Sequence, residues 1–431
     1  MSHGSSLIPA LLRRGDAQTA AREAGAALRD MFDLDVSAVE FTQDEYSLNS
    51  VSGRARLREG TTYFFKFHQE EGEEENVTEY YRAQLLSDAG LPVEVPIATS
   101  TRPGAQMVLY RLHDEPRMAD VCADIERAQG VAAALGPQLL AARRALDART
   151  GEVLLETMAA PVATSASASI HQLFHHRLVD GPAQPPDDRF PDGPLSRGRF
   201  PGGRYLRFYA GDATFGAVAA KRWRVNGIEY RSSLSALATQ AARLLAPESL
   251  AALPVVTAHG DDHHGNIWAL ENDDGPVLRL FDPAFAGTDI PALLAPVKAT
   301  FHNALAHPFW LYHPGEAAER FSIETSIRGD VVEVSDDAHL SGLRREVLDS
   351  AAELIWVPLL REMSRRSWLP ANWRAIVRSA LFCCPLLVTN LVDVSRPAPV
   401  RALGLARAVA AGSEPVSGAD AVSSFLDQVT P

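Results

Sequence analysis

The stretch that decides the fold is His259-Gly-Asp-Asp-His-His-Gly-Asn266, followed sixteen residues after Asn266 by Asp282 in LFDPAFAG. A short apolar run, VVTA, precedes this polar loop. The segments NIWAL and VLRLFD come after it and flank the turn ENDDG, a pattern that predicts a β-hairpin. We therefore expect the polar loop to lie between a buried strand and a hairpin, with Asp282 where the second hairpin strand ends.

Asp261, Asn266 and Asp282 are the set of side chains that phosphoryl transfer requires. One carboxylate must orient or deprotonate an attacking hydroxyl. An Asn and a second carboxylate must hold Mg²⁺ against the phosphates, because this transfer is catalysed mainly by positioning and charge neutralisation. A kinase catalytic loop places its Asp and Asn five residues apart, and Asp261 and Asn266 have this spacing.

Two other interpretations of the same loop remain open. A metal hydrolase could use His259, Asp261, His263 and His264 as ligands, although the other histidines of the chain form no recognised ligand spacing. Alternatively, the loop merely caps a helix, and Asp282 merely belongs to an Asp-Pro turn.

The loop HGDDHHGN with the later LFD resembles the aminoglycoside phosphotransferase and choline kinase group, which shares the protein-kinase-like fold. That group typically shows H-G-D-x-x-x-x-N followed by an Asp at the end of the next strand. The resemblance implies that Asp261 is the catalytic base and that Asn266 and Asp282 are magnesium ligands. It covers these two loops closely and the rest of the two lobes loosely. Pro283 departs from it, since a small or aromatic residue is more usual there.

An upstream lysine provides an independent indication. Lys66 lies in the middle of the strand-like segment YFFKFH, where a nucleotide-binding lobe needs a Lys for the α- and β-phosphates. Glu79 opens TEYYRAQLLSDAGLPV thirteen residues later, and this segment resembles the helix that carries the partner of the Lys. The acidic run at Glu73–Glu75 competes for that role. The alternative for Lys66 is an edge-strand residue that prevents aggregation.

Two further parts of a nucleotide site are only weakly marked. The segment AQMVLYRL is predicted to be a strand leading into a hinge, where the adenine edge would pair with backbone groups near Leu109 to Leu112. No Gly-rich phosphate loop is recognisable. In its place, the residues that would cover the phosphates are polar ones of EYSLNSVSGRARL, namely Ser47, Asn49, Ser50 and Ser52.

The predicted fold class is α+β, in a protein-kinase-like arrangement of two lobes. Residues 1–113 would form a nucleotide-binding lobe of sheet and helix, and residues 114–431 a larger, mainly helical lobe. A helix is predicted from Asp16 to Phe32, strands up to His68 and over LPVEVPIA, and mostly helix from Ile290 onward. A Pro- and Gly-rich insertion at 180–203 is predicted to be a loop, either a substrate lid or a decorated surface.

Composition limits the possible partners. Lys and Arg number 41 against 54 Asp and Glu, a net charge of −13, which argues against nucleic acid as a partner because phosphate binding needs a basic surface. No run approaches the roughly 18 apolar residues of a membrane span. Three cysteines allow no disulfide framework or zinc site. We expect a soluble, cytoplasmic protein.

The acceptor is not readable from the sequence. Aromatic residues with nearby acids could form a box for an amine, or these aromatics could simply be helix core. Arginines in LLREMSRRSW favour an anionic acceptor instead, or are a solvated face. The aromatic candidates are Trp310, Tyr312, Trp356, Trp368 and Trp373, beside Asp262, His263 and His264 of the loop.

The sequence thus predicts an ATP- and Mg²⁺-dependent phosphotransferase that acts on a hydroxyl of a small molecule. The alternative is a pseudokinase or nucleotide-binding scaffold, which has no need to retain Lys66, Asp261, Asn266 and Asp282 together. A protein acceptor is disfavoured, because few residues separate LFDPAFAG from the helix expected near Pro291 and leave little backbone for docking a peptide.

Overall fold

The computed structural model describes residues 8, 11–12, 14–42, 50–68, 82–100, 107–179, 205–208, 211–214, 218–388, 391 and 396–431. An antiparallel sheet with one long helix forms the N-lobe, and a mainly helical C-lobe follows it. The predicted α+β class is therefore confirmed. The predicted insertion at 180–203 lies outside the described residues.

The N-lobe is a five-stranded sheet in the order β1-β2-β3-β5-β4, in which every neighbouring pair is antiparallel. Its elements are α1 (Ala17–Phe32), β1 (Val36–Thr42), β2 (Ser50–Leu57), β3 (Thr62–His68), α2 (Ala83–Asp88), β4 (Ala98–Ser100) and β5 (Met107–Arg111). The predicted first helix is confirmed, and Asp16 caps it by accepting a hydrogen bond from the backbone N–H of Thr19 at 3.1 Å.

The strand predicted over LPVEVPIA is wrong for most of its length. Only Val93 makes an isolated bridge there, to Leu280, and β4 begins at Ala98. Pro92 and Pro96 lack the N–H that a sheet ladder needs, so apolar alternation in this segment does not produce a strand.

Alternation along β3 and β5 separates the lobe's core from the cleft between the lobes. Phe65 and its partner Leu109 point into a core shared with α1, where both are at most 1% exposed. Lys66 and its partner Val108 therefore point to the opposite face. Because β3 lies between β2 and β5, the interpretation of Lys66 as an edge-strand residue is wrong.

The first helix of the C-lobe begins at Met118, and further helices and strands lead from it to the predicted hairpin. Its elements up to the catalytic hairpin are α3 (Met118–Gln129), α4 (Pro137–Thr157), α5 (His175–Val179), β6 (Tyr205–Phe208), β7 (Gly211–Thr214), β8 (Arg222–Val225), β9 (Ile228–Glu229), α6 (Leu234–Leu244), α7 (Pro247–Leu250), β10 (Val255–Ala258), β11 (Ile267–Leu270) and β12 (Val277–Leu280). Strands β11 and β12 pair antiparallel across the turn ENDDG, so the predicted hairpin is confirmed.

The remainder of the C-lobe is mostly helical, as predicted, and one β-hairpin departs from that pattern. Its elements are β13 (Gly287–Pro291), α8 (Val297–Thr300), α9 (Pro308–Tyr312), α10 (Pro314–Arg320), β14 (Ile323–Arg328), β15 (Val331–Asp336), α11 (Gly342–Ala351), α12 (Val357–Arg365), α13 (Trp373–Val388), α14 (Ala398–Gly412) and α15 (Ala421–Gln428). Strands β14 and β15 form a hairpin that joins β8 and β9 in a four-stranded sheet. Alternating β-branched residues around the turn Arg328-Gly-Asp330 explain this departure from the helical expectation.

The core of the C-lobe encloses most of the aromatic residues that the sequence offered for an acceptor. Trp310 and Trp356 are fully buried and Trp373 is 6% exposed, and the indole N–H of Trp356 donates to Thr300 Oγ1 at 2.8 Å. These three side chains are helix core. No helix in the described part of the chain has the length and apolarity needed to cross a membrane.

Candidate active site

The catalytic loop turns sharply at Gly260, directly after β10. Gly260 has a φ of +79°, and a Cβ built there would lie 2.8 Å from the carbonyl oxygen of Phe285 and 2.9 Å from Cδ1 of Ile170. Both the left-handed backbone and the lack of space require glycine at this position. The turn brings the backbone of Gly260 against Phe285, in the segment that follows the hairpin.

His259 holds the two parts of the site together. Its Nδ1 accepts a hydrogen bond from the backbone N–H of Asp261 at 3.2 Å, so its proton lies on Nε2, which donates to the carbonyl of Phe281 at 2.9 Å. Both ring nitrogens are therefore used within the protein. Among the described residues no group of three or more His, Cys, Asp or Glu could hold a metal ion, and the metal-hydrolase interpretation finds no support.

Asn266 closes the loop at its far end. Its Nδ2 donates to the backbone carbonyl of Asp261 at 2.9 Å, and its own backbone carbonyl accepts a hydrogen bond from the N–H of Phe281 at 3.0 Å. The side-chain amide oxygen of Asn266, Oδ1, makes no hydrogen bond to any residue that the structure describes. The predicted spacing of five thus brings Asp261 and Asn266 into contact.

Asp282 ends the hairpin in a conformation that few residues adopt. Its φ is +58°, in the left-handed region, and Pro283 follows it. Its carboxylate forms an ion pair with Lys66, which reaches across from β3 of the N-lobe. Asp282 is 18% exposed at the side chain and Lys66 is 12% exposed, so this contact between the lobes is largely shielded from water.

Lys298 is a site residue that the sequence analysis missed. It lies in α8, and its Nζ is 2.6 Å from Oδ1 of Asp261, with the side chains 8% and 11% exposed. Burial by itself raises the pKa of Asp261, but the ammonium of Lys298 outweighs this effect and the pKa lies well below its usual range. Asp261 is therefore a carboxylate at neutral pH.

Two histidines of the loop, His263 and His264, lie near His302 and Asn303, which follow Lys298 in the chain. His263 Nε2 lies 3.6 Å from Oδ1 of Asp261, and burial lowers the pKa of His263 to about 4. The backbone N–H of His264 donates to Oδ1 of Asn303 at 2.7 Å. Asn303 and His302 belong to a π-helical turn at Phe301–Leu305, a feature frequent at functional sites. At neutral pH the imidazoles of this group carry no charge.

A cleft of about 440 Å³ is lined by residues of both lobes, among them Phe64, two residues before Lys66, and Phe281, the residue before Asp282. Trp268 and Phe281 form part of its wall, with their rings stacked at 4.5 Å and 20°, and the indole N–H of Trp268 donates to Glu94 at 2.9 Å. The guanidinium carbon of Arg117 lies 5.8 Å from the Trp268 ring centroid. The volume lies within the range of roughly 300–1,000 Å³ that ligand pockets occupy.

The hinge residues of the prediction occupy different places. Leu112 lines the cleft, together with Tyr110 and Arg111. Leu109 has its side chain in the N-lobe core, and its carbonyl already accepts a hydrogen bond from Ile97 N–H at 2.7 Å. Of the two predicted hinge residues, Leu112 is the one that lines the cleft.

Several predicted residues cannot be placed. Glu79, Glu73–Glu75, Ser47 and Asn49 lie outside the described residues. Ser52 is described, and its hydroxyl shares a hydrogen bond with Thr42 Oγ1 at 3.0 Å. Within the described part of the chain, the acidic partner of Lys66 is Asp282.

The donors present fit a magnesium ion that arrives with a nucleotide. Mg²⁺ binds few protein oxygens and keeps waters or substrate phosphates as its other ligands. The free amide oxygen of Asn266 and the carboxylate of Asp282 are such oxygens, and they belong to segments joined by the backbone hydrogen bond between Asn266 and Phe281. When bound, the ion would neutralise charge on the phosphates.

Comparisons with known proteins gave matches among solved structures alone. No family model matches the chain, and no curated protein matches it. One similar structure is an aminoglycoside phosphotransferase in complex with GDP and kanamycin, at 13% identity over 84% of this chain and 89% of that chain, with a TM-score of 0.39.

Two more similar structures are phosphotransferases. The macrolide 2'-phosphotransferase of Brachybacterium faecium is 14% identical over 92% of this chain and 99% of its own, with a TM-score of 0.36. A spectinomycin phosphotransferase in complex with ADP and spectinomycin is 12% identical over 90% and 98%, with a TM-score of 0.32. The group that the loop HGDDHHGN resembles is thus represented among the similar structures.

Proposed function

We propose that the protein is an ATP- and Mg²⁺-dependent phosphotransferase that transfers the γ-phosphoryl group to a hydroxyl of a small molecule. One observation carries the proposal. Two lysines and two aspartates meet as two shielded ion pairs, and Phe281, the residue before Asp282, lines a ligand-sized cleft between the lobes. A catalyst of phosphoryl transfer needs positioned carboxylates and cations in this way.

In this proposal the N-lobe, residues 1–113, binds the nucleotide. Lys66 leaves Asp282 and binds the α- and β-phosphates, and Glu79 holds it there. The segment from Tyr110 to Leu112 faces the base. Residues 114–431 then supply the catalytic loop and the acceptor site.

Asp261 orients the acceptor hydroxyl for attack on the γ-phosphorus. Its lowered pKa makes it a carboxylate that accepts a hydrogen bond readily and a proton reluctantly, so orientation is its main contribution before the bond to phosphorus forms. Asp282 and Asn266 hold the metal. The hydroxyl proton passes to Asp261 late in the reaction, as the oxygen becomes bonded to phosphorus.

The test is ATP consumption across a panel of hydroxylated metabolites, amino alcohols, nucleosides and aminoglycosides, with the phosphorylated product identified by mass spectrometry. We expect a phosphorylated product that forms only with Mg²⁺, with one γ-phosphoryl group transferred in each turnover. A nucleotide-binding scaffold would be stabilised by Mg·ATP and would form neither ADP nor product with any acceptor, including water.

A further inference from the structure

Lysine is rare in this chain, and its placement is not random. The sequence contains 38 arginines and three lysines, Lys66, Lys221 and Lys298. Lys221 is on the surface, where its Nζ donates to the carbonyl of Gly329 at 2.8 Å. The other two each bind one of the two aspartates of the candidate active site. Lysine thus occurs where a cation meets a site carboxylate, although arginine serves almost everywhere else.

The chemistry of the two side chains explains this choice. A guanidinium forms two parallel hydrogen bonds and occupies both oxygens of a carboxylate, whereas an ammonium is a compact charge that binds one. Lys298 contacts Oδ1 of Asp261, the same oxygen that faces His263 at 3.6 Å. Oδ2 of Asp261 makes no ion pair or hydrogen bond to any described residue, so one oxygen is held and the other is left for a ligand.

The surroundings of Lys298 keep its ammonium in this position. Lys298 is 6% exposed, and its Nζ lies 6.0 Å from the ring centroid of Phe285, which follows Asp282 by three residues. The π-helical turn at Phe301–Leu305 continues directly from α8 and binds the catalytic loop through Asn303. The helical segment that carries Lys298 is therefore tied to the catalytic loop by the hydrogen bond of Asn303.

We propose that Lys298 is a positioning residue for phosphoryl transfer, which binds Oδ1 of Asp261 and thereby directs Oδ2 to the acceptor hydroxyl. This inference rests on the proposed function. It assigns Lys298 no contact with the nucleotide, because its action passes through Asp261. Removal of Lys298 should then slow turnover without weakening nucleotide binding, and should have no effect once Asp261 is already disabled.

The experiment is a double-mutant cycle with Lys298→Met, Asp261→Asn and the combined variant, measured as ADP formation from Mg·ATP with water as the acceptor. We expect kcat to fall about 10- to 100-fold in Lys298→Met, within the range of positioning effects, while KM for Mg·ATP changes less than threefold. The combined variant should be no slower than Asp261→Asn by more than a factor of about two, since residues that act as a unit are not additive.

Two further variants separate this role from a purely structural one. Lys221→Met, the matched control, should keep the parent kcat. Lys298→Arg keeps a cation on Asp261 but engages both carboxylate oxygens, so it should retain the parent's unfolding midpoint and show a kcat as low as that of Lys298→Met. The unfolding midpoint of every variant is measured, and kinetics are recorded well below the lowest one.

The outcomes are distinguishable. A parent kcat in folded Lys298→Met, a parent kcat in Lys298→Arg, or a full additional loss in the combined variant would each overturn the inference and leave the proposed function standing. The last result would mean that Lys298 acts without Asp261. If the parent forms no ADP from Mg·ATP with water or with any acceptor of the panel, the proposed function fails, and the inference fails with it.

Discussion

Replacing Lys66 by alanine tests whether the cleft between the lobes binds a nucleotide. In the unliganded protein Lys66 binds Asp282, and in the proposed complex it binds phosphates instead. A hydrogen bond to a charged group contributes about 1.5–3 kcal/mol, so Lys66→Ala should raise the Kd for Mg·ATP by roughly 10- to 100-fold.

The assay is the increase in unfolding free energy caused by the nucleotide. At a concentration 100 times the parent Kd, the nucleotide stabilises the parent by about 2.7 kcal/mol. The same concentration should stabilise Lys66→Ala by only about 1.4 kcal/mol if the Kd rises tenfold, and about 0.4 kcal/mol if it rises 100-fold. Each variant is compared with itself, so any effect of the lost ion pair on the unliganded protein cancels.

Lys221→Ala is the matched control, because this half-buried lysine donates to the carbonyl of Gly329 and does not line the cleft. It should show the full parental stabilisation. If Lys66→Ala is stabilised as much as the parent at every nucleotide concentration, Lys66 does not bind the phosphates, and the assignment of the N-lobe as nucleotide-binding is refuted.

Three further predictions concern the loop, the cleft and the pH dependence of stability. Gly260→Ala should lower the unfolding free energy by about 2 kcal/mol or more in urea unfolding, because a clash with backbone adds to the strain of a positive φ. Gly275→Ala is the control: its φ is +115° but the space around it is open, so it should cost about 1 kcal/mol. Equal losses in the two variants would mean that the new Cβ at position 260 meets no clash. Trp268→Ala should weaken Mg·ATP binding about tenfold in a titration, because a stacked wall of the cleft is lost. An unchanged Kd would mean that the adenine base does not bind against Trp268. Burial lowers the pKa of His171 to about 4 from an unfolded value of about 6.5. The contribution of His171 to the free energy of unfolding is therefore fully present above pH 6.5 and is lost as the pH falls toward 4, at about 1.4 kcal/mol per pH unit. The free energy of unfolding of His171→Gln should fall less steeply than that of the parent between these pH values, and an identical slope would contradict the assignment.

The sequence predicts the catalytic segment well because that segment is local. The spacing of Asp261 and Asn266 and the turn ENDDG fix a loop and a hairpin whose parts lie within thirty residues of each other. The segment YFFKFH likewise predicts the strand that carries Lys66, although the ion pair of Lys66 with Asp282 depends on the packing of two lobes.

What the sequence does not predict depends on tertiary contacts or on competing patterns. Lys298 follows Asp261 by 37 residues in an unremarkable segment, APVKAT, and only its rarity as a lysine marks it. The strands β14 and β15 were missed because strong helical periodicity on both sides outweighs a short alternating stretch. Trp310 and Trp356 are equally compatible with a binding box and a core until their burial is known.

In the proposed reaction Asp261 orients a hydroxyl for phosphoryl transfer, and the Asp261→Asn variant tests this role. The measurement is turnover of Mg·ATP with the acceptor identified from the panel, alongside nucleotide affinity in the same folded protein. The account predicts a loss of turnover of about 10² or more with nucleotide affinity near that of the parent. Full turnover in correctly folded Asp261→Asn would contradict it.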